Sequence, residues 1–355
     1  GAALLAEVTP IGHVALASAT AMAVLTAVAV WLATRDRHAR GRGLAWIALC
    51  LVWGLAGRAP PPAGALRVTF LDVGQGDAAL VELPDGAVWL IDAGGAANAA
   101  ELAQAAAPGR AVDRVLAAYD HTRIDLAVIS HPHPDHYLGL AAITAPITEL
   151  WAADEAPRPP SDRGPRKAQP ASVLPGFAAI TAGLAARGTR LVHPGLGVVR
   201  REAGVELAVW APRFQPTADA AAMCAADPVR TVNDNSLVVA VRFAGRTILF
   251  AGDLEAEGED DLIAAGLGAV DVVKVAHHGS PTSSTPRFVA HTRPRLAVIS
   301  CGRGNAFGFP APAVIARWLA GGAAVARTDR DGAITVTVDR AGDLAVDRFV
   351  PAPPP

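Results

Sequence analysis

The chain has 355 residues, a formal net charge of −2 and a sequence pI of about 6.6. This balance excludes a surface coated all over in basic charge for nucleic acid, although it leaves room for a local basic groove. Apolar residues make up 52% of the chain and charged residues 18%, which is more apolar than is usual for a soluble protein. Cys50, Cys224 and Cys301 lie far apart and predict no disulfide framework and no zinc finger.

Two apolar segments open the chain. The first, residues 12–33, carries no charged residue and has the length of a membrane-spanning helix. The second, residues 43–57, would reach roughly 22 Å as a helix, so it is either a short second span or a buried or interfacial helix. We therefore predict one or two transmembrane helices within residues 1–57.

The connection between these segments, TRDRHARGR, has four arginines against one acid. Short basic loops stay on the cytoplasmic side, so two spans would place the rest of the chain on the extracytoplasmic side of the cell membrane. RAPPPAG, residues 58–64, predicts a stiff linker into a domain over residues 65–350, with a tail at 351–355. Because the chain begins with glycine, we expect it to be a piece of a larger membrane protein.

Apolar strands that run into a histidine or an aspartate recur through the predicted domain. VWLI precedes Asp92, LAVIS precedes His131, TILFAG precedes Asp253, and VDVVKVA precedes His277 and His278. One aspartate after a strand is usually a turn or a helix cap. The ordered series is typical of a site on the rim of a sheet, where strand ends meet beside glycine turns.

The densest cluster is HPHPDH, residues 131–136. In such a turn the first two histidines can face one cation and the following Asp-His pair a second, with Asp253 bridging both. Nitrogen and carboxylate ligands without thiolates suit Zn²⁺ or Mn²⁺. We therefore predict two divalent metal ions, an arrangement that supports hydrolysis, with phosphate esters as natural substrates.

These residues carry a resemblance to known proteins. HPHPDH, the Gly252-Asp253 pair and HHGS resemble the metallo-β-lactamase superfamily. VTFLDVGQGDAALVELPDGAVWLIDAGG, together with VNDNSLVV, KVAHHGS and ARTDRDGAITV, resembles the C-terminal domain of the ComEC competence family of natural transformation. The resemblance covers residues 65–350 and implies an α+β fold, a four-layer αββα sandwich with the metals at one edge. The apolar segments fit the end of that family's membrane channel.

The resemblance also implies roles for individual residues. The implied metal ligands, with the choice between the last two histidines open, are His131, His133, Asp135, His136, Asp253 and either His277 or His278. The spare histidine would hold a phosphate or donate a proton. Asp135, Asp253 and His278 are the expected catalytic residues. Asp92 matches the aspartate that orients the ligand loop, and its alternative role is a turn cap.

The sequence departs from the superfamily pattern in two places. The third-motif histidine is missing, since only His193 lies between the ligand loop and Asp253; we expect a weaker first site in which Asn235 or water fills the gap. Phe309 stands where the family usually has a histidine before a proline. Its presence lowers activity if that histidine assists the leaving group, and changes little if the histidine only lines the cleft.

Four further polar residues are considered as possible parts of the site. Gln75 and Asp77 lie in DVGQGD, which the family places near the site and which is otherwise a tight glycine turn. His121 and His291 are expected to be surface or core residues and not ligands.

RPPSDRGPRK, residues 158–167, is a candidate to follow a DNA backbone, and its alternative is a solvated insertion. Its basic residues are Arg158, Arg163, Arg166 and Lys167.

The main hypothesis is a metal-dependent nuclease that degrades one strand of incoming DNA during uptake. Its expected partners are DNA, the membrane channel domain of the same protein and other competence proteins. The alternatives are a module that guides DNA into the channel with weakened hydrolase activity, and a small-molecule phosphodiesterase or β-lactam hydrolase.

Overall fold

The structure is a computed structural model, and it describes residues 64–96, 99–153, 174–212, 226–227 and 229–350. The predicted transmembrane segments, most of the linker and the tail lie outside these residues. The same holds for the predicted DNA-contacting residues Arg158, Arg163, Arg166 and Lys167. Among the described residues, no helix has the length and apolar character needed to cross a membrane.

Fifteen strands are found in the described part of the chain. In chain order they are β1 Leu66–Phe70, β2 Ala78–Glu82, β3 Val88–Ala93, β4 Leu126–Ile129, β5 Glu149–Ala152, β6 Arg190–Val192, β7 Val199–Glu202, β8 Val205–Ala211, β9 Val238–Phe243, β10 Arg246–Phe250, β11 Val272–Lys274, β12 Leu296–Ile299, β13 Ala324–Arg327, β14 Ile334–Val338 and β15 Leu344–Arg348. One sheet has the order β15-β14-β1-β2-β3-β4-β5-β6, and the other has the order β13-β12-β11-β10-β9-β8-β7.

Short helices connect the strands and cover the sheets. They are α1 Leu102–Ala105, α2 Ala107–Ala118, α3 Pro134–Tyr137, α4 Phe177–Ala186, α5 Ala256–Ala264, α6 Pro286–Thr292, α7 Pro312–Ala320 and α8 Thr328–Asp331, with 3₁₀ turns at Leu138–Ala141 and Ala276–Gly279. The sequence explains their faces and ends. In α2, Val112, Val115 and Leu116 are spaced for one helix face, and all three are buried. At α6, the Thr285 hydroxyl caps the helix by accepting from the Phe288 N–H.

The core is built in layers. Alternate side chains of both sheets meet in a central apolar layer, in which the Phe70 and Phe250 rings stack with centroids 5.7 Å apart. A second apolar cluster packs α2 and α4 against the outer face of the first sheet. A third packs α5, α6 and α7 against the outer face of the second. The order of layers is helix, sheet, sheet, helix, so the predicted αββα sandwich is confirmed.

The topology brings the predicted strand ends together. Strands β3 and β4 run parallel in the first sheet, and β10, β11 and β12 run parallel in the second. Parallel strands end at the same edge of a sheet, so their following residues gather there. A backbone hydrogen bond of 2.6 Å from Leu237 N–H to the Ser130 carbonyl joins the two sheets at this edge. The rim of the sandwich is therefore the place where both sheets contribute side chains.

Two glycines allow the ligand loop to lie tightly against the first sheet. A Cβ on Gly139 would come within 1.9 Å of the Ala93 carbonyl oxygen at the end of β3. A Cβ on Gly109 in α2 would come equally close, 1.9 Å, to the Gly139 carbonyl oxygen. These contacts are with backbone, which cannot move aside as a flexible side chain does. The close packing of β3, the loop and α2 therefore requires glycine at both positions.

Gly139→Ala is expected to lower the free energy of unfolding by about 3 kcal/mol, because the added methyl group forces the loop away from β3. Gly183→Ala is the matched control: Gly183 lies at an exposed position of α4, where a Cβ would meet nothing within 4 Å. There, alanine favours the helix and adds up to about 1 kcal/mol. Urea denaturation of both variants measures the difference, and equal stabilities would contradict the packing argument.

Candidate metal centre

The ligand loop is shaped by its own sequence. After β4, the chain turns through Ser130 and His131 and enters α3 at Pro134, a position where proline needs no hydrogen bond. This single turn places the three histidine rings close together. The His131 ring centroid lies 4.6 Å from that of His133 and 4.2 Å from that of His136. Three imidazoles are thus held within one turn at the end of a buried strand.

Four imidazoles converge on one oxygen of the Asp253 carboxylate. Asp253 Oδ2 lies 3.3 Å from His136 Nε2, 3.6 Å from His278 Nε2 and 3.7 Å from His131 Nε2. His277 Nε2 is slightly farther, at 4.0 Å. These nitrogens come from the ligand loop of one sheet and the Ala276–Gly279 turn of the other. Asp253 is therefore in the position that a carboxylate shared between two cations requires.

Several of these atoms are buried without a hydrogen bond of good geometry, namely His136 Nε2, His278 Nε2 and Asp253 Oδ1. Buried polar atoms normally have a partner, because leaving one unpaired costs about 1–3 kcal/mol. A cation bound between the imidazoles and the carboxylate would satisfy the two nitrogens. Nitrogen and oxygen donors without thiolates suit Zn²⁺ or Mn²⁺, so the residues fit divalent metal ions.

Asp92 orients His136. Its Oδ2 lies 3.0 Å from His136 Nδ1, and its two oxygens also accept from the Ser130 N–H at 2.7 Å and the Ser130 hydroxyl at 2.9 Å. A carboxylate only accepts here, so His136 Nδ1 carries a proton, and this contact turns Nε2 toward Asp253. Asp92 thus lies where an orienting residue would be needed. It adopts a left-handed φ of 56°, which aspartate tolerates.

The geometry distinguishes the role of His278 from that of His277. His278 is buried, its Nδ1 donates to the Ser300 carbonyl at 3.0 Å, and its Nε2 lies 3.2 Å from Asp135 Oδ2. His277 is 21% exposed, and its Nδ1 lies 3.4 Å from Glu255 Oε1. The arrangement favours His278 as the ligand beside Asp135 and His136, and it leaves His277 at the mouth of the site.

The adjacent pair His277 and His278 has an unusual backbone. Both residues have left-handed conformations, with φ of 51° and 53°. Each such residue outside glycine costs of order 1–3 kcal/mol and persists only where the surroundings enforce it. Here the left-handed backbone directs the two adjacent imidazoles of one short turn to different parts of the site.

Asp77 and Lys274 form a buried ion pair behind the ligands. The Lys274 ammonium contacts Asp77 Oδ2, donates to the Gly252 carbonyl at 3.0 Å and lies 3.8 Å from Asp253 Oδ1. Asp77 Oδ1 is 3.3 Å from His278 Nδ1. Asp77 therefore faces the ring nitrogen of His278 that does not point to Asp253. We interpret Asp77 as a residue that supports the ligands from behind, although it lies close enough to three of them to be a candidate ligand itself.

The electrostatics divide the imidazoles into two kinds. Burial lowers the pKa of His131, His133 and His277, so these rings are neutral and available as ligands near pH 7. Burial also opposes a charge on His136, but the carboxylates of Asp253 and Asp92 outweigh it and raise its pKa. The Asp253 carboxylate is buried, yet His136 and His278 hold its pKa well below the usual range. The site is thus an anionic cluster ready for cations.

Asp135 is ionised for a similar reason. Burial disfavours its charge, but contacts with His278 and His136 hold its pKa below the usual range. Together with Asp253, it gives the centre two carboxylates among its imidazole rings.

Some predicted residues lie elsewhere. The Asn235 side chain does not fill the first site, because its amide donates to the Asp227 and Thr231 carbonyls at 3.0 and 2.9 Å and its oxygen accepts from the Asp227 N–H. The prediction that it faces the ligands does not match this geometry. His193 is hydrogen-bonded to the Ala152 carbonyl, at the far edge of the first sheet.

The two histidines that we expected to be surface or core residues also have other partners. His121 contacts Glu82 at 2.7 Å, and His291 contacts the Leu267 carbonyl.

Four polar residues near the centre were missed from the sequence: Ser130, Ser236, Lys274 and Glu255. Ser236 holds the Asp253 N–H at 3.1 Å and lies 3.5 Å from His131 Nδ1. A lysine at an inward position of the apolar run VDVVKVA was the clearest available signal, because a buried lysine requires a carboxylate partner. The serines gave no such signal, since small hydroxyl residues are common at strand ends.

A family model described as the metallo-beta-lactamase superfamily matches residues 71–303. This match spans well over half of the 355 residues. The chain therefore belongs to the metallo-β-lactamase superfamily, whose members are usually hydrolases. The resemblance predicted from HPHPDH, Gly252-Asp253 and HHGS is confirmed.

The chain is also similar to competence and recombination proteins. It is 37% identical over 107 residues to Recombination protein 2 of Haemophilus influenzae, a stretch covering 30% of the chain and 14% of that protein. It is 37% identical over 117 residues to Competence protein ComA of Neisseria gonorrhoeae, covering 32% and 17%. For ComE operon protein 3 of Bacillus subtilis the identity is 35% over 111 residues, covering 31% and 14%. The matches thus span less than a fifth of each relative.

Among solved structures, a metal-dependent hydrolase of the β-lactamase superfamily is similar at a TM-score of 0.40 and 11% identity. The likeness covers 79% of this chain and 98% of that one. It is too distant to bear on function.

The full chain is expected to bind two divalent ions, and His278→Ala is expected to lose about one of them, because it removes the Nε2 donor beside Asp135 and Asp253. His291→Ala is the control, since His291 is also a partly buried, hydrogen-bonded imidazole but lies away from the centre. Elemental analysis after dialysis against Zn²⁺ or Mn²⁺ gives the stoichiometry. Equal metal content in His278→Ala and His291→Ala would reject the ligand assignment.

Lys274→Met is expected to destabilise the protein by about 3–5 kcal/mol, because it leaves the Asp77 charge buried without its partner. Asp77→Asn should be destabilising for the same reason. The double variant Asp77→Asn, Lys274→Met should be more stable than the sum of the single changes, since neither charge remains buried alone. Chemical denaturation of the four proteins completes the cycle, and strict additivity would show that the two groups are not coupled.

Proposed function

We propose that this protein is a metal-dependent phosphodiesterase that hydrolyses DNA during its uptake across the cell membrane. One observation carries the proposal: the Asp253 carboxylate has four imidazole nitrogens within 4.0 Å of its Oδ2. A carboxylate surrounded by imidazoles is the donor set of a hydrolytic two-metal centre. Membership of the metallo-β-lactamase superfamily supports the hydrolytic class of reaction.

The described residues divide into two candidate ion sites. His131, His133 and Asp253 would hold one cation. Asp135, His136, His278 and Asp253 would hold the other. When bound, the two ions supply a hydroxide at neutral pH and stabilise the charge that develops on the phosphate oxygens.

The protein around this centre supplies orientation. Asp92 fixes the ring of His136, and the Ser300 carbonyl fixes the ring of His278, each at 3.0 Å. Fixed rings present their lone pairs without reorganisation when charge develops, which is worth several kcal/mol in hydrolytic sites. Asp135 and Asp253 keep the centre anionic and therefore selective for cations over neutral ligands.

His277 is the proposed proton carrier for the leaving oxygen: its neutral ring takes up a proton from the attacking water at Nε2 and then gives it to that oxygen. It combines partial exposure with proximity to Asp253, so a substrate at the mouth of the site can reach its Nε2. The Glu255 carboxylate beside Nδ1 holds the ring in one orientation. An acid-histidine pair of this type positions a proton for transfer.

Three arguments support DNA as the substrate. Curated relatives are described as competence and recombination proteins. Phosphate diesters are the natural substrates of two-metal hydrolysis. The segment with Arg158, Arg163, Arg166 and Lys167, outside the described residues, supplies cations for a phosphate backbone. We also propose an extracytoplasmic position for this domain, beside a membrane channel domain of the same protein and other competence proteins.

The runner-up is a DNA-guiding module with weakened hydrolase activity. The composition of the candidate first site favours this alternative. Among the described residues, that site consists of Asp253 and only two imidazoles, those of His131 and His133. Phe309 also favours the guiding module, because it occupies the sequence position at which the family usually has a histidine. Under this alternative, DNA binds and metals are bound, but no strand is cut.

Asp253→Asn is expected to reduce DNA cleavage by the full chain at least about a hundredfold, because the amide keeps the shape of the side chain but removes the negative charge shared between the cations. The assay uses single- and double-stranded DNA with Mn²⁺ and Zn²⁺ compared. The control is Asp347→Asn, which removes an exposed carboxylate on β15, far along the first sheet from the rim.

Asp347→Asn is expected to cleave DNA like the wild type. Unchanged cleavage by Asp253→Asn would reject the two-metal site. Absence of cleavage by the wild type itself, with metal bound and DNA retained, would favour the guiding module instead.

A further inference from the structure

An aromatic row leads from the metal centre to the surface. The His277 ring meets the Phe309 ring edge-on, with centroids 5.6 Å apart. Phe309 in turn stacks on Phe307, with centroids 5.7 Å apart and planes only 18° from parallel. Because His277 Nε2 is 4.0 Å from Asp253 Oδ2, the row begins at the candidate centre itself.

Phe307 forms the outer end of this row. It is 58% exposed, although large apolar side chains are normally covered in a folded protein. Phe309 stacks against this ring, and more than half of Phe307 is exposed to solvent. Within the described residues, no other large apolar side chain of this loop is exposed to that degree. The exposed aromatic is thus a single ring and not part of a broad apolar patch.

The loop that carries these rings is held in place. The Asn305 side chain accepts from the Phe309 N–H at 3.0 Å and donates to the Phe309 and Gly302 carbonyls at 2.6 and 2.9 Å. The Gly302 N–H donates to Gln75 Oε1 at 3.1 Å, which ties the loop to the turn after β1. A loop fixed at both ends presents the rings without ordering cost on binding.

We propose that Phe307 and Phe309 form a stacking platform for a nucleobase of single-stranded DNA, close to the phosphate that is cut. This inference rests on the proposed function and names how its substrate is held. Aromatic faces beside a phosphate-binding centre are typical of proteins that bind single strands without regard to sequence, since every base has a π-face. In a duplex, the bases are stacked on each other and do not offer that face.

The surroundings favour a nucleic acid over a protein partner. Exposed Arg303 lies at the start of the loop, with its Nε donating to the Asp329 carbonyl at 3.3 Å, and a guanidinium is suited to a backbone phosphate. A protein interface of useful stability needs a buried area of about 1,000 Å² or more, with a cluster of apolar anchors. A single exposed aromatic ring beside a cation is instead suited to one nucleobase and its neighbouring phosphate.

The test compares two labelled single-stranded oligonucleotides of equal length, one of thymidines and one abasic, by fluorescence anisotropy with Mn²⁺ present. All proteins are full chains that carry Asp253→Asn, so the strand stays intact whether or not the wild type cleaves it. The variants are Phe307→Ala, Phe307→Trp and the control Leu319→Ala. Leu319 is also apolar and 55% exposed, but it lies on α7 outside the loop.

With Phe307 present, the thymidine strand should bind more tightly than the abasic strand. Phe307→Ala should weaken thymidine binding about five- to a hundredfold and leave abasic binding unchanged. Phe307→Trp should restore or strengthen it, and Leu319→Ala should bind like the parent. Because Phe307 is exposed, its replacement is not expected to affect folding, and thermal melts verify this.

Equal losses for both strands, or no loss in Phe307→Ala, would overturn the platform. A preference of the parent for the abasic strand would do the same. These outcomes are independent of the nuclease proposal, which is decided by cleavage with the wild-type chain. If thymidines bind through Phe307 but the wild type does not cleave DNA, the stacking platform is supported and only the hydrolase proposal is rejected.

Discussion

The structure depends on one buried carboxylate, that of Asp253. Taking a charge out of water is costly unless opposite charge or hydrogen bonds replace the solvent. Asp253 meets this requirement from two sides: its Oδ1 faces the Lys274 ammonium at 3.8 Å, and its Oδ2 faces the imidazoles. The amide N–H of Asp253 is held by the Ser236 hydroxyl. The side chain is thereby aimed at the space between the two ligand groups.

The fold is arranged to bring these partners to one point. The ligand loop follows the first sheet, and Asp253, Lys274 and the His277-His278 turn follow the second. Neither sheet carries a complete ligand set, so the centre exists only when the two sheets pack face to face. The apolar layer between the sheets therefore contributes directly to the metal centre. The left-handed backbone of His277 and His278 opposes stability locally, and the apolar layers offset that cost.

The centre is asymmetric, and this bears on its chemistry. The buried group of His136, His278, Asp253 and Asp77 has four donors, and Asp135 Oδ2 lies 3.2 Å from His278 Nε2 beside it. Asp92 and the Ser300 carbonyl orient the two rings of this group. The group around His133 has fewer donors and lies nearer to solvent. The open side adjoins His277 and the aromatic loop, so a substrate would approach from there.

The sequence by itself determined the class of fold, the superfamily and most of the residues at the centre. It could do so because short strands that end in His or Asp leave a local pattern, and HPHPDH places several donors in one turn. Only the tertiary structure distinguishes His277 from His278, since adjacent residues have the same local pattern. One ring meets the Ser300 carbonyl and the other meets Glu255. Asn235 was predicted to fill the place of the missing third-motif histidine, but its side-chain amide is bonded within its own loop. The contact between Lys274 and Asp77, 197 residues apart, and the row from His277 to Phe307 likewise arise only when distant segments pack, because no local pattern specifies which strand ends will meet.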